Sequence, residues 1–393
     1  MMKASGLRRS YDAACKDRRP DKFFGDFREA LHSKQIRIDQ YQTDFGIRDL
    51  FEQFIPGGRE IVDSWNPGQG EGGISLVEAG DAVNTTAFSN ITGQIVYSAI
   101  MDAFTSEAFV FSPVIRTIQT QFSGEKIAGI TRMGDRAEVV GEGQQYPNVG
   151  VGEDYVETPV TTKRGMIVPL TKEAIFFDRT GLVVQRCAEV GEFLGLNKEK
   201  RVIDVIIDEN VTTHRYKWRG TTYATYQTST PWDNVTASAA LTDWTDIDEA
   251  EQTLSGILDP NTGEPIVNLP RDLVVTRQNL YKARYILSAT EIRVGDGAST
   301  STQTIAANPM AGNGYRILSS QLLAARMTTD TTYYLGDISK AFAYMQNWPL
   351  TTVQAPANSE DEFNRDIVMK WKASERGATA TLEPRVMNKS TVA

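Results

Sequence analysis

Histidine is almost missing from this chain: two in 393 residues, His32 and His214. The side chain that most often serves as general base or metal ligand is therefore nearly absent, and neither copy stands in a cluster with metal-ligand spacing. Cysteine is as scarce. Cys15 and Cys187 cannot build a disulfide framework or a four-ligand zinc site, and they point to a reducing compartment. Without a secretory route, the sequons at Asn84, Asn90, Asn210, Asn234 and Asn388 mean nothing. No run of ~18 apolar residues marks a membrane span. The opening MMKASGLRRSYDAACKDRRP is polar and basic, without the apolar centre of a secretion signal. The expectation is a protein made and assembled in a cytoplasm, with no membrane partner.

Catalytic signatures are missing too. There is no G-x-x-x-x-G-K-[ST] phosphate loop and no G-x-S-x-G elbow. GQGEGG at 68–73 has no apolar strand before it and no capped helix after it, so it does not read as a dinucleotide loop. DPNTGE at 259–264 offers oxygen ligands but reads better as a turn after a helix. We expect no catalytic residue, no cofactor and no metal; the chain is not read as an enzyme. Positive charge is short as well, with Lys and Arg numbering 41 against 50 Asp and Glu, a net −9. That argues against a general nucleic-acid binder, whose affinity comes from clustered Lys and Arg on phosphates. The balance is uneven: residues 1–40 are +4 and the remainder −13.

What is present reads as arm, ribbon, rod and a second α/β unit. Residues 1–55 mix charges with aromatics, with short helices expected around 22–34 and 46–55 and too little apolar mass for an independent core. Residues 56–80 hold seven Gly and two Pro and read as extended or looped chain that borrows its order from neighbours. Residues 85–122 look helical and then extended. From 126 the pattern is β: a first arm to Val140, a tip GEGQQYPNVGVGED (141–154), and a return arm YVETPVTTKRGMIVPL (155–170) with β-branched alternation. Such a two-stranded ribbon is marginal alone in water and should be held by another chain. A short helix follows. A long one comes next, capped by Asp178 or Thr180, with Val183, Cys187, Val190, Leu194, Val202 and Ile206 at helical spacing. Its ~30 residues make a ~45 Å rod at 1.5 Å rise.

Further on, Asp246–Leu258 is expected to be an amphipathic helix presenting Ile247, Ala250, Leu254, Ile257 and Leu258. Leu273–Val275 is a buried strand, and Thr276 is expected to cap the helix RQNLYKARYIL. GDGASTSTQTIAANPMAGNG (295–314) reads as a flexible loop, and 333–345 and 366–384 as strands. Trp218, Tyr223, Tyr226, Trp232 and Trp244 could stack on sugars or bases but are read as packing residues.

Four of these phrases, in this order, resemble the tailed-phage major capsid protein of the Hong Kong 97-type fold, which is shared with encapsulins. They are the charged ribbon (127–168); VPLTKEAIFFDRTGLVVQ, similar to the approach to that family's spine helix; LVVTRQNLYKARYIL, similar to its axial domain; and YLGDISKAFAYMQNWPLTTVQ with FNRDIVMKWKASERGATATLEPRVM, similar to its closing strands. The resemblance covers about 85–390. It implies an α+β capsid fold: an N-terminal arm (1–110), an extended β-ribbon loop with flanking strands (111–170), a peripheral domain with the spine helix (171–240), an axial α/β domain (241–340) and a return to the peripheral domain (341–393).

The same resemblance implies a structural subunit whose hexamers and pentamers close an icosahedral shell around double-stranded DNA. DNA would be confined without sequence-specific binding, and the location would be the virion capsid, assembled in a bacterial cytoplasm. A separate scaffolding protein, a portal and decoration proteins are candidate partners. The subunit-interface residues expected on the extended loop are Arg132, Asp135, Arg136, Glu138, Glu142, Asp154, Glu157, Lys163 and Arg164. Relatives that cross-link lysine to asparagine suggest Lys163 with Asn308 or Asn313. The rival readings are an encapsulin-like cargo compartment and, from another class, a tail or baseplate protein.

Overall fold

The computed structural model describes residues 4–17, 19–33, 35–36, 46–55, 57–64, 86–129, 139–146, 154–171, 174, 181–209, 216–229, 231–237, 240–259, 263–295, 303–312, 314–355 and 367–391. The chain divides into two compact units. One is built from 1–108, 163–197 and 348–376, the other from 109–162, 198–347 and 377–393.

The first unit is largely helical. α1 (Ala4–Lys16), α2 (Pro20–His32), α3 (Ile47–Phe54), α4 (Gly58–Ser64) and α5 (Thr86–Phe104) join the first part of the long helix α6 (Leu182–Ile207). In α3 the sequence IRDLFEQF puts Ile47, Leu50, Phe51 and Phe54 on one stripe, and all four are buried. Asp49 accepts from the Gly46 N–H at 2.9 Å, using one of the unpaired donors of the helix start. Arg8 Nη1 donates to the Phe54 carbonyl at the other end, at 3.0 Å. The aromatics of the N-terminal region (Phe23, Phe27, Phe51, Phe54) bury in one core with Phe88, Ile95 and Ile100 of α5 and with Val184, Cys187 and Leu194 of α6. That region has no separate core, as its composition suggested. Glycine content misled at one place, because Gly58–Ser64 is helical; its partner is α3, which packs beside it.

α5 and α6 approach so closely at Gly191 that an added β-carbon would lie 2.2 Å from the Ile100 carbonyl oxygen. Gly191→Ala must therefore push the helices apart, and we expect a loss of about 1–3 kcal/mol. Thermal melting beside a Gly6→Ala control, where the added carbon meets nothing within 4 Å, checks this.

α6 has 26 residues, about 39 Å at 1.5 Å rise. Its apolar stripe continues in the second unit, where Val202, Ile203, Ile206 and Ile207 are all fully buried against Phe111, Leu323, Tyr334 and Phe342. The expected capping residues Asp178 and Thr180 lie outside the described residues. A four-stranded sheet has the order β1 (Arg116–Gln119), β15 (Phe342–Gln354), β16 (Ile367–Thr381), β4 (Thr162–Thr171).

The second unit also holds a five-stranded mixed sheet in the order β13 (Arg316–Leu318), β10 (Asp272–Val274), β14 (Tyr333–Gly336), β17 (Met387–Thr391), β9 (Val235–Ala237). The β10–β13 and β17–β9 pairs are parallel, and the two between them antiparallel. β10 is buried at every position, as a strand covered on both faces must be. α7 (Trp244–Ser255) packs Ile247, Ala250 and Leu254 inward, and Asp243 caps it by accepting from the Thr245 N–H at 2.8 Å. α8 (Leu280–Ser288) packs Leu280, Ala283 and Ile286. Short elements complete this unit: β2 (Lys126–Ala128), β3 (Tyr155–Glu157), β5 (Tyr216–Trp218), β6 (Thr221–Tyr223), β7 (Thr228–Ser229), β8 (Trp232–Asp233), β11 (Glu291–Gly295), β12 (Gln303–Ala307), α9 (Gln321–Arg326) and α10 (Ile338–Ala341).

Several expectations change. α7 ends at Ser255 with Gly256 after it, so Leu258 is not on its buried face and stands 51% exposed. Thr276 does not cap α8. Its hydroxyl donates to the Asp330 carbonyl at 2.7 Å, and the helix starts a turn later after Asn279. The Gly- and Ser-rich stretch after 290 is not all loop, because Glu291–Gly295 and Gln303–Ala307 pair as a five-residue antiparallel hairpin. Its strands carry the alternation that composition alone hides.

Candidate functional site

Low histidine content leaves little material for an active site, and among the described residues no group of three or more His, Cys, Asp or Glu could hold a metal. No helix among them is long and apolar enough to cross a membrane. Of the DPNTGE segment, Asp259 is buried and faces Arg385 at 3.6 Å, and its N–H donates to the Glu264 carbonyl at 2.8 Å. The first surface to consider is the root of the β-ribbon.

β2 pairs with β3 over three residues (Lys126 with Glu157, Ile127 with Val156, Ala128 with Tyr155), and β3 continues onto β5 and β6. Arg219 and Gly220, both at positive φ, form the two-residue turn between β5 and β6. Such a turn matches the twist of its strands. Edge-to-face and tilted contacts at 5.3–6.4 Å tie Tyr216, Trp218, Tyr223 and Trp232 together behind this sheet. The Trp and Tyr set is thus packing, with Tyr226 against Tyr334 at 5.3 Å.

The charges expected on the ribbon divide into four groups. Arg132, Asp135, Arg136 and Glu138 lie outside the described residues. Glu142 is exposed in a turn closed by Gln144 N–H donating to the Gly141 carbonyl at 3.1 Å. Asp154 and Glu157 serve their own subunit: the Asp154 carboxylate accepts from Trp218 Nε1 at 2.6 Å and Arg219 Nε at 3.1 Å, and Glu157 pairs with Lys217. Gly129 N–H donates to the Asp154 carbonyl at 2.9 Å, so pairing continues one residue beyond β2. Lys163 and Arg164 sit on β4, whose sheet neighbour is β16 and not the first ribbon arm. The return arm stays beside the first through Thr158, whose N–H donates to the Glu125 carbonyl at 2.9 Å, and Thr161, whose N–H donates to the Ser123 hydroxyl at 3.2 Å; from Thr162 it joins β16. Period-2 alternation marks a strand but does not name its partner. Asn308, the cross-link candidate, is buried. Its amide donates to the Ile286 and Ala289 carbonyls at 2.7 and 2.8 Å and its oxygen accepts from the Met310 N–H, so its chemistry is spent on holding the turn after β12. Asn313 lies outside the described residues.

Sequence reasoning missed the side chains that lock the second unit. Glu199 is fully buried, and its carboxylate accepts from the N–H groups of Val110, Phe111 and Ser112 at 2.9, 2.7 and 2.7 Å. Within NKEKR it looks like solvated charge. Asn234 is fully buried as well, donating to the Thr225, Pro384 and Met387 carbonyls and accepting from the Gln227 N–H. The last carbonyls of α6 are taken by tyrosines: Tyr226 donates to Ile206 at 2.6 Å and Tyr334 to Ile207 at 3.3 Å. Burial pushes both phenols well above their ordinary pKa, so both remain donors. The Glu209 carboxyl is held below its ordinary value. Burial raises it, but the Thr328 N–H and the Lys389 ammonium outweigh that.

A second missed surface is the outer face of α8. Tyr281 and Tyr285 are 64% and 68% exposed, among the exposed cations Arg277, Lys282 and Arg284.

A family model described as phage capsid protein matches residues 155–389. No curated protein matches the sequence. Among solved structures, the chain is similar to the capsid of a native GTA particle, at 10% identity over 73% of this chain and 91% of that one, with a TM-score of 0.47. It is similar to Mycobacterium phage Bobi at 11% identity over 72% and 90%, TM-score 0.44. The capsid of cyanophage P-SCSP1u matches at 15% identity over 71% and 86%, TM-score 0.43.

Proposed function

This chain belongs to the phage capsid protein family, and from that premise we propose that its copies close, as hexamers and pentamers, into an icosahedral shell around double-stranded DNA. It is a structural major capsid protein with an α+β fold. What carries the reading is the family match itself. It runs from the first residue of β3 through α6 and the five-stranded sheet to β17. The side chains described above support it, because their buried charged and amide groups are spent on holding backbone in place. The cargo-compartment alternative is not favoured, since the matched family is one of phage capsids.

The finer parts of the reading are ours. The chain acts as no enzyme. The ribbon charges Arg132, Asp135, Arg136, Glu138 and Glu142 contact neighbouring subunits, with Lys163 and Arg164 of β4 as further contacts. Residues 241–340 supply the axial contacts and the N-terminal region the arm. Packaged DNA is confined, because an acidic inner wall does not hold phosphates; a scaffolding protein, a portal and decoration proteins are candidate partners of the shell. Assembly takes place in the host cytoplasm.

Negative-stain microscopy and sedimentation of the expressed chain test the shell. Closed particles hundreds of ångströms across are expected. Deleting 131–152, which spares the Gly129–Asp154 pairing, is expected to leave a folded subunit that makes no closed particles. A parent chain that stays monomeric sinks the proposal, and normal shells from the deletion remove the ribbon's role in it.

A further inference from the structure

Charge in the second unit is sorted along the chain. From 220 to 270 there are eight Asp and Glu and no Lys or Arg, whereas 271–293 holds five Lys and Arg against two acids. The structure turns this sorting into two helix faces. On α8 the inward stripe is Leu280, Ala283 and Ile286, and the outer face carries Tyr281, Lys282, Arg284 and Tyr285, with Arg277 just ahead of the helix, all exposed. Arg277 and Arg284 lie over the Tyr281 ring at 5.6 and 5.9 Å. Among the described residues none of these three cations forms an ion pair. On α7 the inward stripe is Ile247, Ala250 and Leu254; among the described residues the half-exposed Asp248, which accepts from Gln252 Nε2 at 2.8 Å, and the exposed Glu249 form no ion pair. Beside Tyr285 a cleft of about 420 Å³ opens, lined in part by Trp244, Ile292 and the 64%-exposed Ile305.

Exposed tyrosine and arginine beside a cleft of mixed lining, with Asp243 and Glu291 among its walls, is the composition of an interface centre. We infer that the basic, aromatic face of α8 docks on the acidic face of α7 in a second copy of this chain. The inference rests on the shell reading and deepens it. Charge complementarity names the occupant: an acidic chain that leaves one cationic face unpaired also carries, on a neighbouring helix of the same unit, the acids to match it. The two faces are different surfaces of one subunit, so the contact is head-to-tail. Each copy makes it twice, and repetition closes a ring when the rotation between copies divides the circle.

Three variants test it, each compared with the parent for particles by sedimentation and negative stain, and for melting temperature. Lys282→Glu with Arg284→Glu reverses one face; Asp248→Lys with Glu249→Lys reverses the other; the third carries all four changes. Like charges brought together across a contact cost several kcal/mol, so each two-site variant should assemble about tenfold less than the parent at low salt, with melting unchanged. The four-site variant restores complementarity and should assemble again. Assembly of either two-site variant at the parent's level overturns the inference, and so does a four-site variant no better than the worse pair. Should a reversal lower the melting temperature, Lys282→Gln with Arg284→Gln replaces it, and a salt dependence of assembly as steep as the parent's then overturns the inference. A parent that makes no particles overturns the shell reading beneath it.

Discussion

Ile206→Asp is expected to yield no folded protein. Ile206 is fully exposed to the core and not at all to water, packed with Val202, Ile203 and Ile207 of α6 against Phe111, Tyr334 and Phe342. The side chains packed around it are largely apolar, the nearby Tyr226 and Tyr334 hydroxyls are already spent on the Ile206 and Ile207 carbonyls, and burying an unpaired carboxylate costs several kcal/mol. That is comparable with the ~5–15 kcal/mol that separates a domain from its unfolded chain. Ile203→Asp should behave alike. Lys198 is a poor control on the same helix, because its ammonium lies over the Tyr344 ring at 4.4 Å. Arg186→Asp is the better one, with a side chain 66% exposed. Soluble yield and thermal melting of the variants side by side are the measurement, and an Ile206→Asp protein that melts like the parent would falsify the buried placement of α6.

The second large effect is expected at Glu199. Replacing it by alanine strips the N–H groups of Val110, Phe111 and Ser112, one buried and two partly buried, of their common acceptor. Each unsatisfied donor costs about 1–3 kcal/mol, so even with partial relaxation we expect a loss of about 3–5 kcal/mol, similar to breaking a buried ion pair. Glu199→Gln keeps one carbonyl oxygen but places an NH₂ where the second carboxylate oxygen accepted, and should fall between. Urea unfolding of the three proteins measures the difference. If alanine costs no more than a surface substitution, about 0.5 kcal/mol, the carboxylate is not what holds 110–112.

Where the chain repeats apolar residues at a helical interval, sequence located the elements: α6 by Val183, Cys187, Leu194, Val202 and Ile206, and α7 by Ile247, Ala250 and Leu254. Where a position depends on a partner far along the chain, sequence was silent. β4 reads as a ribbon arm until β16, some 200 residues later, is there to take it. Thr276 reads as a cap until the Asp330 carbonyl claims its hydroxyl. Glu199 sits in a charged run, and a local pattern cannot say that the run's one acid turns inward. The ribbon charges stood out by their strand pattern, yet Asp154 and Glu157 proved to be tied to Trp218, Arg219 and Lys217 of their own subunit. The α8 face went unnoticed because its signal is a contrast between two neighbouring stretches of charge, not a motif.

The five-stranded sheet has β17 in its interior, flanked by β14 on one side and β9 on the other. β9 has no other neighbour in that sheet, and Asn234 just before it reaches the Pro384 and Met387 carbonyls. A ribosome therefore releases β9 some 150 residues before the strand that seats it exists. Until residues 384–391 emerge, the sheet is interrupted and the second unit, with α7 and α8 on it, has no finished scaffold. Contacts that need the completed second unit therefore cannot form until residues 384–391 have left the ribosome.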